Sequence, residues 1–260
     1  MPEDHRVLSP PPFDVVTFNV RNGLGVDGAN SWPWRRRAAA EVLRTLDADL
    51  YGLQEAHGFQ LRYLQRRLPG YRSVGAGRGR GRRGERCPVL ARSVRFELIE
   101  HQTYWYGEDR QGSQRLPGAS APRIATIARY RDRLAERTLR VANTHLDEHH
   151  ADNRARSAAQ LAAWLDSDEP TVLLGDLNTG TETAVFDALR TTGLHPVLEP
   201  GHASTAHGYR SDPAGPHLDH ILVTDHLRAS DAAVEELRPG GRFPSDHHPV
   251  RARLRWRHPI

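Results

Sequence analysis

The chain has 260 residues, of which 38% are hydrophobic and 26% are charged, and this composition excludes a disordered chain. Its formal net charge of +4 is too modest to indicate nucleic-acid binding by itself. The single cysteine, Cys87, excludes an intramolecular disulfide and a zinc site built from cysteines.

No segment approaches the ~18 consecutive apolar residues that a membrane helix needs, so no membrane insertion is expected. The first residues, MPEDHRVLSPPPF, contain acids and prolines and lack the apolar core of a secretory signal, which favours a cytoplasmic location. Residues 1–12 are predicted to be a disordered lead-in, and residues 13–260 to form one domain.

In the first half of the chain, apolar runs alternate with segments of helical spacing. The predicted elements are a strand at 13–20, a helix at 34–46, a strand at 49–53, a helix at 59–68 and strands at 88–91 and 94–98. A Gly- and Arg-rich loop, 75–86, precedes the last two strands. Two interpretations stay open for it: a mobile lid whose Arg side chains hold an anionic substrate, or a disordered arm.

The second half begins with a long polar loop at 107–122, a length that is usually functional or disordered. The elements predicted after it are strands at 124–130 and 139–143, a helix at 153–164, a strand at 171–174, a helix at 183–190 and strands at 217–224 and 249–254. Gly175 predicts a turn after the strand at 171–174. This order suits two packed sheets flanked by helices better than a doubly wound parallel sheet.

Short polar groups follow the apolar runs. They are Asn19 in TFNV, Glu55 in GLQE, Asn143-Thr144-His145, Asp176 and Asn178 in GDLN, Asp219, and Asp246-His247 in SDHHPV. Such a set of Asn, Asp, Glu and His suits a hard divalent cation and acid–base chemistry on phosphate esters. A zinc deaminase or zinc protease is not indicated, because neither H-x-E with C-x-x-C nor H-E-x-x-H occurs.

The order of these motifs resembles the DNase I-like endonuclease/exonuclease/phosphatase superfamily over about residues 13 to 254. The resemblance implies an α/β catalytic domain that forms a four-layered αββα sandwich of two packed mixed β-sheets flanked by helices. It also implies an enzyme that hydrolyses phosphoesters with Mg²⁺ or Mn²⁺. Members of the superfamily cleave DNA, RNA tails, inositol phosphates and sphingomyelin, so membership does not select a substrate.

The resemblance also implies roles for single residues. Glu55 would be the main metal ligand, since a carboxylate at the end of a buried strand is costly without a cation. Asn19 and Asp246 would lie on the same metal side. The catalytic set would then be His145, Asp176, Asn178, Asp219 and His247.

In that catalytic set, Asp176 would orient or deprotonate the attacking water, and Asn178 would hold the phosphate or Asp176. His247, oriented by Asp219, would be the second centre of proton transfer. His145 would donate to a phosphoryl oxygen or to the leaving group. Seven other histidines are first interpreted as surface or structural residues: His149, His150, His202, His207, His220, His226 and His248.

The segments GERCPVL, PRIAT and NTHLDEHHADNRARSAAQL resemble a bacterial branch of metal-dependent hydrolases. Four residues in them are expected to contact substrate: Glu85, Arg123, Asp147 and Arg154. Arg21 stands where abasic-site nucleases of the superfamily carry a second metal-binding Asp. We expect Arg21 to hold a substrate phosphate, or else to pair with Glu55 or Asp246.

These observations favour a small phosphorylated metabolite or phosphodiester as substrate, and we expect a monomer. A metal-dependent nuclease for DNA or RNA is the first alternative, and Tyr104, Trp105 and Tyr106 would suit either substrate. A catalytically inert binding module on the same scaffold is the second. Retention of every acid, base and ligand of the motif set argues against the inert module.

Overall fold

The computed structural model describes residues 10–165, 168–198, 201–211 and 215–257. Most of the predicted lead-in at 1–12 therefore lies outside the described residues. The α-helices in these ranges are α1 (Trp32–Leu46), α2 (Gly58–Gln65), α3 (Ala151–Leu165) and α4 (Ala184–Arg190). None of them is both long and apolar enough to cross a bilayer.

The strands fall into two six-stranded sheets. The first sheet has the order β11 (Leu227–Val234), β12 (Val250–Trp256), β1 (Phe13–Asn19), β2 (Leu50–Gln54), β4 (Val89–Arg92) and β3 (Tyr71–Val74). The second has the order β5 (Phe96–Trp105), β6 (Ile124–Asp132), β7 (Arg137–His145), β8 (Thr171–Asp176), β10 (Asp219–Val223) and β9 (His195–Pro196). Both sheets are mixed, because β1 is parallel to β2 and β7 is parallel to β8, whereas other neighbours are antiparallel.

Three apolar clusters separate four layers. One lies between the sheets and contains Val15, Val141 and Leu174. A second joins the first sheet to α1 and α2, and the third joins the second sheet to α3 and α4. Because both faces of the central strands are covered, those strands are continuously apolar. The predicted αββα sandwich is confirmed.

The differences from the predicted elements lie mostly at edges and strand ends. Strands β3, β9 and β11 were not predicted: β3 and β11 are edge strands with polar, partly exposed sequences, and β9 has two residues. The turn predicted at Gly175 is wrong, since β8 continues to Asp176. Glycine is needed there for close packing, because a Cβ atom would lie 2.8 Å from the carbonyl oxygen of Thr144.

Candidate active site

Strand direction gathers the polar residues of the first sheet at one edge. Because β1 and β2 are parallel, Asn19 at the end of β1 lies beside Gln54 at the end of β2, and Glu55 follows directly. The segment with Asp246 and His247 directly precedes β12, which is antiparallel to β1 and thus begins at the same edge. The Ser245 hydroxyl fixes this segment by donating to the carbonyl oxygen of Asn19 at 2.6 Å.

The second sheet supplies its polar residues to the same edge. The parallel pair β7 and β8 places His145 opposite Asp176, and the antiparallel strand β10 places Asp219 opposite Asp176. Asn19 connects the sheets, since its side-chain nitrogen donates to both Glu55 Oε1 and Asp176 Oδ2 at 3.0 Å. One neutral amide thus lies between two carboxylates from opposite sheets.

His247 forms a buried ion pair with Asp219. The distance from His247 Nδ1 to Asp219 Oδ2 is 2.7 Å, and Asp176 Oδ2 lies 3.9 Å from the same nitrogen. Burial alone would lower the pKa of His247, but the negative charge of Asp219 and its hydrogen bond outweigh burial and raise it. Burial and the charge of Asp219 raise the pKa of Asp176. A cationic acid and a carboxylate of increased basicity therefore share one site.

His145 is the neutral histidine of this site. Its Nε2 atom lies 3.6 Å from Asp176 Oδ2. Burial lowers the pKa of His145 well below its ordinary value, and the positive charges of Arg123 and Arg78 act in the same direction. An uncharged ring can donate one hydrogen bond and does not compete with His247 for the role of acid.

Glu55 has a strained backbone. Its φ of 59° lies in the left-handed region, which is unfavourable for a non-glycine residue. The carboxylate accepts the backbone N–H of Asn22 at 2.6 Å and the Asn19 amide. Strain in sparsely populated backbone regions clusters at functional sites, where the surrounding contacts hold it.

Arg21 was expected to hold phosphate or to pair with Glu55 or Asp246, but its closest partner is Asp27. Two hydrogen bonds, at 3.2 and 2.9 Å, join the guanidinium to the Asp27 carboxylate. Its distance to Asp246 Oδ2 is 3.5 Å, so that pairing is present as the weaker of the two. Asp27 was not identified from the sequence, because nothing in the Gly-rich segment after β1 shows that the chain folds back.

Asn178 acts on Asp176 through its backbone. Its N–H donates to Asp176 Oδ1 at 3.0 Å, and its side-chain nitrogen donates to the carbonyl oxygen of Leu146 at 3.1 Å. Like Glu55, Asn178 has a positive φ, 52°. Of the two predicted roles for Asn178, the geometry supports orientation of Asp176.

Two buried amides connect the sheets beneath the site. Gln54 Nε2 donates to Asn143 Oδ1 at 2.6 Å, and Asn143 Nδ2 donates to the carbonyl oxygens of Leu53 and Pro88. Thr144 is also engaged, through Tyr106 and the carbonyl oxygen of Ile124. Gln54, Asn143 and Thr144 thus have structural roles although they lie in the same sequence motifs as Glu55 and His145. Membership of a motif therefore does not distinguish structural from reactive residues here.

Arg35 is the main positioning residue that the sequence did not reveal. It is fully buried, and it donates to the carbonyl oxygens of Val20, Arg21 and Pro244. These bonds tie the segment after β1 to the segment before Asp246. A helical signal existed: Arg35 lies three residues after Trp32 and four before Ala39, both of which are buried on the same face of α1.

Asp147 and Arg154, which were expected to contact substrate, make structural hydrogen bonds in the segment that leads into α3. Asp147 Oδ1 accepts the backbone N–H groups of His149 and His150, at 2.9 and 3.0 Å, and Oδ2 accepts Asn153 Nδ2. Arg154 Nη1 donates to the carbonyl oxygen of Asp147 at 2.9 Å. Burial alone would raise the pKa of Asp147, but these N–H groups lower it to about 2.

Replacing Asp147 with alanine is expected to lower the free energy of unfolding by about 1–3 kcal/mol, because buried donors lose their acceptor. Chemical denaturation at neutral pH measures the loss. Because the pKa is lowered on folding, the stabilisation is present above the ordinary pKa of Asp and is lost as the pH falls through about 2. Asp152→Ala, an exposed change in the first turn of the following helix α3, is the control, and an equal loss there would contradict this role.

Seven histidines were interpreted as surface or structural residues. His149, His150 and His202 are exposed, His226 is partly exposed, and His207, His220 and His248 are buried. The His248 ring packs on His207 with centroids 4.2 Å apart. A substitution of His248 would therefore disturb packing, and it is a poor neutral control for His247.

The Gly- and Arg-rich loop is folded, which argues against the disordered arm. Backbone hydrogen bonds join Gly77 to Arg82, Arg78 to Glu85 and Gly79 to Arg83. The Trp105 indole N–H donates to the carbonyl oxygen of Arg78 at 2.7 Å. The side chains of Arg80, Arg82 and Arg83 remain exposed.

The donors around Glu55 fit a hard divalent cation. Oxygen atoms of Glu55, Asp246 and Asn19 are the candidates, and burial raises the pKa of Asp246, so its negative charge is poorly compensated by the protein. Cys87 is not a candidate, because burial raises the pKa of its thiol to about 12.

A second group of possible metal ligands lies nearby. Among the described residues, Asp176, Asp219 and His247 offer ligand atoms within 4.8 Å of one another. His247 Nδ1 already faces Asp219 at 2.7 Å, and this argues for proton transfer rather than metal binding by the trio.

A family model described as "Endonuclease/Exonuclease/phosphatase family" matches residues 16–247. An endonuclease/exonuclease/phosphatase from Bacteroides vulgatus has a TM-score of 0.88 and 24% identity, over 95% of this chain and 100% of that chain. A family protein from Bacteroides thetaiotaomicron has a TM-score of 0.85 and 25% identity, over 96% and 99%. A mannosyl-6-phosphatase from Bacteroides thetaiotaomicron has a TM-score of 0.84 and 24% identity, over 93% and 99%. No curated protein matches the sequence.

Proposed function

Because the chain belongs to the endonuclease/exonuclease/phosphatase family, whose members are hydrolytic enzymes, we propose that it hydrolyses small phosphorylated metabolites or phosphodiesters with Mg²⁺ or Mn²⁺. The observation that carries the proposal is the His247–Asp219 ion pair, which faces Asp176 in one buried site. It supports His247 as an acid and Asp176 as a base that act on one phosphoester.

In this proposal, Asp176 accepts a proton from the attacking water. The Asn178 N–H and the Asn19 amide hold the Asp176 carboxylate in place. Attack is in line with the leaving group. His247 stabilises or protonates the oxygen that departs, while neutral His145 donates to a phosphoryl oxygen. Glu55, Asp246 and Asn19 would hold a divalent cation, which when bound neutralises the charge that develops on the phosphoryl group.

A small substrate is supported by two observations. Arg21, paired with Asp27, occupies the position of a second metal-binding Asp in abasic-site nucleases. One structural relative is named a mannosyl-6-phosphatase. The exposed Arg80, Arg82 and Arg83 favour the alternative, a nuclease, because such side chains can contact a phosphate backbone. A cytoplasmic location and a monomeric state stay predictions.

The proposal is tested with p-nitrophenyl phosphate and bis-p-nitrophenyl phosphate. Hydrolysis of at least one that needs Mg²⁺ or Mn²⁺ is expected. Binding of both without turnover, at any metal concentration, would support the inert binding module and contradict the enzyme.

Replacing Arg80, Arg82 and Arg83 together with alanine is expected to raise the Michaelis constant of the small substrate more than it lowers turnover, since these residues would bind the anion in both ground and transition states. A small ligand should also show a shallow dependence of affinity on salt. Efficient cleavage of plasmid or single-stranded DNA at physiological salt, lost in the triple variant, would favour the nuclease instead.

A further inference from the structure

A small cavity adjoins the proposed site on the side of His145. Its lining includes Glu55, Arg78, Glu85, Arg86, Arg123 and His145, and its volume is about 10 Å³. This is roughly the room that one water-sized atom occupies. Cys87 and Ile124, both buried together with Trp105, close its inner end.

Arg123 is the unusual residue of this cavity. Its side chain is 5% exposed, and its Nε and Nη1 atoms have no hydrogen-bond partner in the part of the chain that the structure describes. The nearest carboxylate, Glu148, lies 3.8 Å from Nη2 and is 44% exposed, so water screens that pair. A buried guanidinium with two free donors is costly unless an anion completes it.

The neighbours of Arg123 are already engaged. Arg78 pairs with Glu85 at 2.8 Å, and Glu85 also accepts the Asn22 side chain at 2.8 Å. Burial raises the pKa of Glu85, which is consistent with its enclosed position. Arg86 Nη1 donates to the carbonyl oxygen of Gly75 at 3.0 Å, and its Nε lacks a partner among the described residues. Arg123, with two such donors, is therefore the cation of the cavity best placed to bind a ligand beside Glu55 and His145.

We propose that this cavity binds a terminal phosphoryl oxygen through Arg123 and thereby selects phosphomonoesters over phosphodiesters; this inference rests on the proposed hydrolase function. A diester has only two unsubstituted oxygens. With the bound cation and His145 holding these two, its carbon-bearing oxygen would face a space that admits one atom and no carbon group. A monoester also carries a charge of about −1.5 to −2 at neutral pH, whereas a diester carries a single negative charge. Both the size of the cavity and the charge of Arg123 therefore favour the monoester.

The binding test uses inorganic phosphate and dimethyl phosphate, titrated calorimetrically into the Mg²⁺-loaded protein. Inorganic phosphate is expected to bind at least about tenfold more tightly than dimethyl phosphate, the scale of a charged hydrogen bond. Arg123→Gln should remove this preference. Arg123→Lys keeps the positive charge but loses the two parallel donors, so its preference for inorganic phosphate should lie between those of the parent protein and Arg123→Gln. Arg72→Gln, an exposed change on β3, is the matched control and should retain the preference.

The same variants are assayed for turnover. Arg123→Gln should lower kcat/KM for p-nitrophenyl phosphate at least about tenfold more than for bis-p-nitrophenyl phosphate. Thermal unfolding should show Arg123→Gln as stable as the parent protein, since no hydrogen bond of the described fold is lost.

An equal affinity of the parent protein for the two phosphates, or an equal kinetic loss for both esters, would overturn the assignment of the cavity. Strong destabilisation by Arg123→Gln would show a structural arginine and overturn it as well. A metal-dependent enzyme that prefers the diester would refute this inference and leave the proposed hydrolase intact. A protein that binds phosphate selectively but hydrolyses neither ester would refute the hydrolase and leave the cavity assigned.

Discussion

Replacing His247 with alanine is expected to lower turnover by roughly a hundredfold or more, the usual scale for a general acid–base group. The reason is the 2.7 Å ion pair with Asp219, which keeps the imidazole protonated and oriented. Asp176→Asn should cause a loss of similar size, because the carboxylate that would accept the proton of water becomes neutral. Steady-state kinetics with p-nitrophenyl phosphate measure both changes.

A separate readout distinguishes acid catalysis from simple damage to the site. Asp219 raises the pKa of His247, so the alkaline limb of the pH–rate profile reports loss of this proton. In Asp219→Asn that limb should move to lower pH. His101→Ala, an exposed histidine on β5, should leave rate and profile unchanged. An unshifted limb in Asp219→Asn would exclude His247 as the acid.

Removal of divalent metal with EDTA is expected to abolish activity, and Mg²⁺ or Mn²⁺ should restore it. Glu55→Ala should weaken metal binding at least about tenfold, the order found when a residue that supports a metal site is lost. The carboxylate packs against no apolar core, so the far-ultraviolet circular dichroism should stay unchanged. Metal affinity is measured calorimetrically.

Glu97→Ala, an exposed glutamate on β5, serves as the matched control and should retain full metal affinity. Glu55→Gln separates charge from shape, because it keeps the side-chain oxygen that accepts Asn22 but loses the negative charge. Full activity in the presence of EDTA would contradict the metal-dependent mechanism. An unchanged metal affinity in Glu55→Gln would show that Glu55 is not a metal ligand.

Arg21 and Asp147 show why the partners of a polar residue could not be predicted. Arg21 was expected to hold substrate or to pair with Glu55 or Asp246. The pair with Asp246 is present at 3.5 Å, yet Asp27 lies closer because a turn in the following loop brings the chain back. Asp147 was placed at the substrate, yet it accepts the backbone N–H groups of His149 and His150 in the segment just before α3. Both outcomes depend on loop conformation, which residue spacing specifies weakly.

Local sequence signals were enough to predict the central strands, the four helices and the order of the polar residues that follow them. Continuous apolar runs and helical periodicity are local signals, and they are strong where an element is buried on both faces. Edge strands such as β3 and β11 carry weaker signals, and they were missed.

Which polar residues come into contact depends on how distant segments pack together. The register of β8 against β10 places Asp219 opposite Asp176, and the bonds from Arg35 hold the segment of Asp246 beside the end of β1. The free donors of Arg123 and the small cavity beside them exist only because segments far apart in sequence pack together. The pKa of each group in the site depends on burial, on nearby charges and on hydrogen bonds. Residues distant in sequence supply these contributions, so tertiary packing and not local sequence sets them.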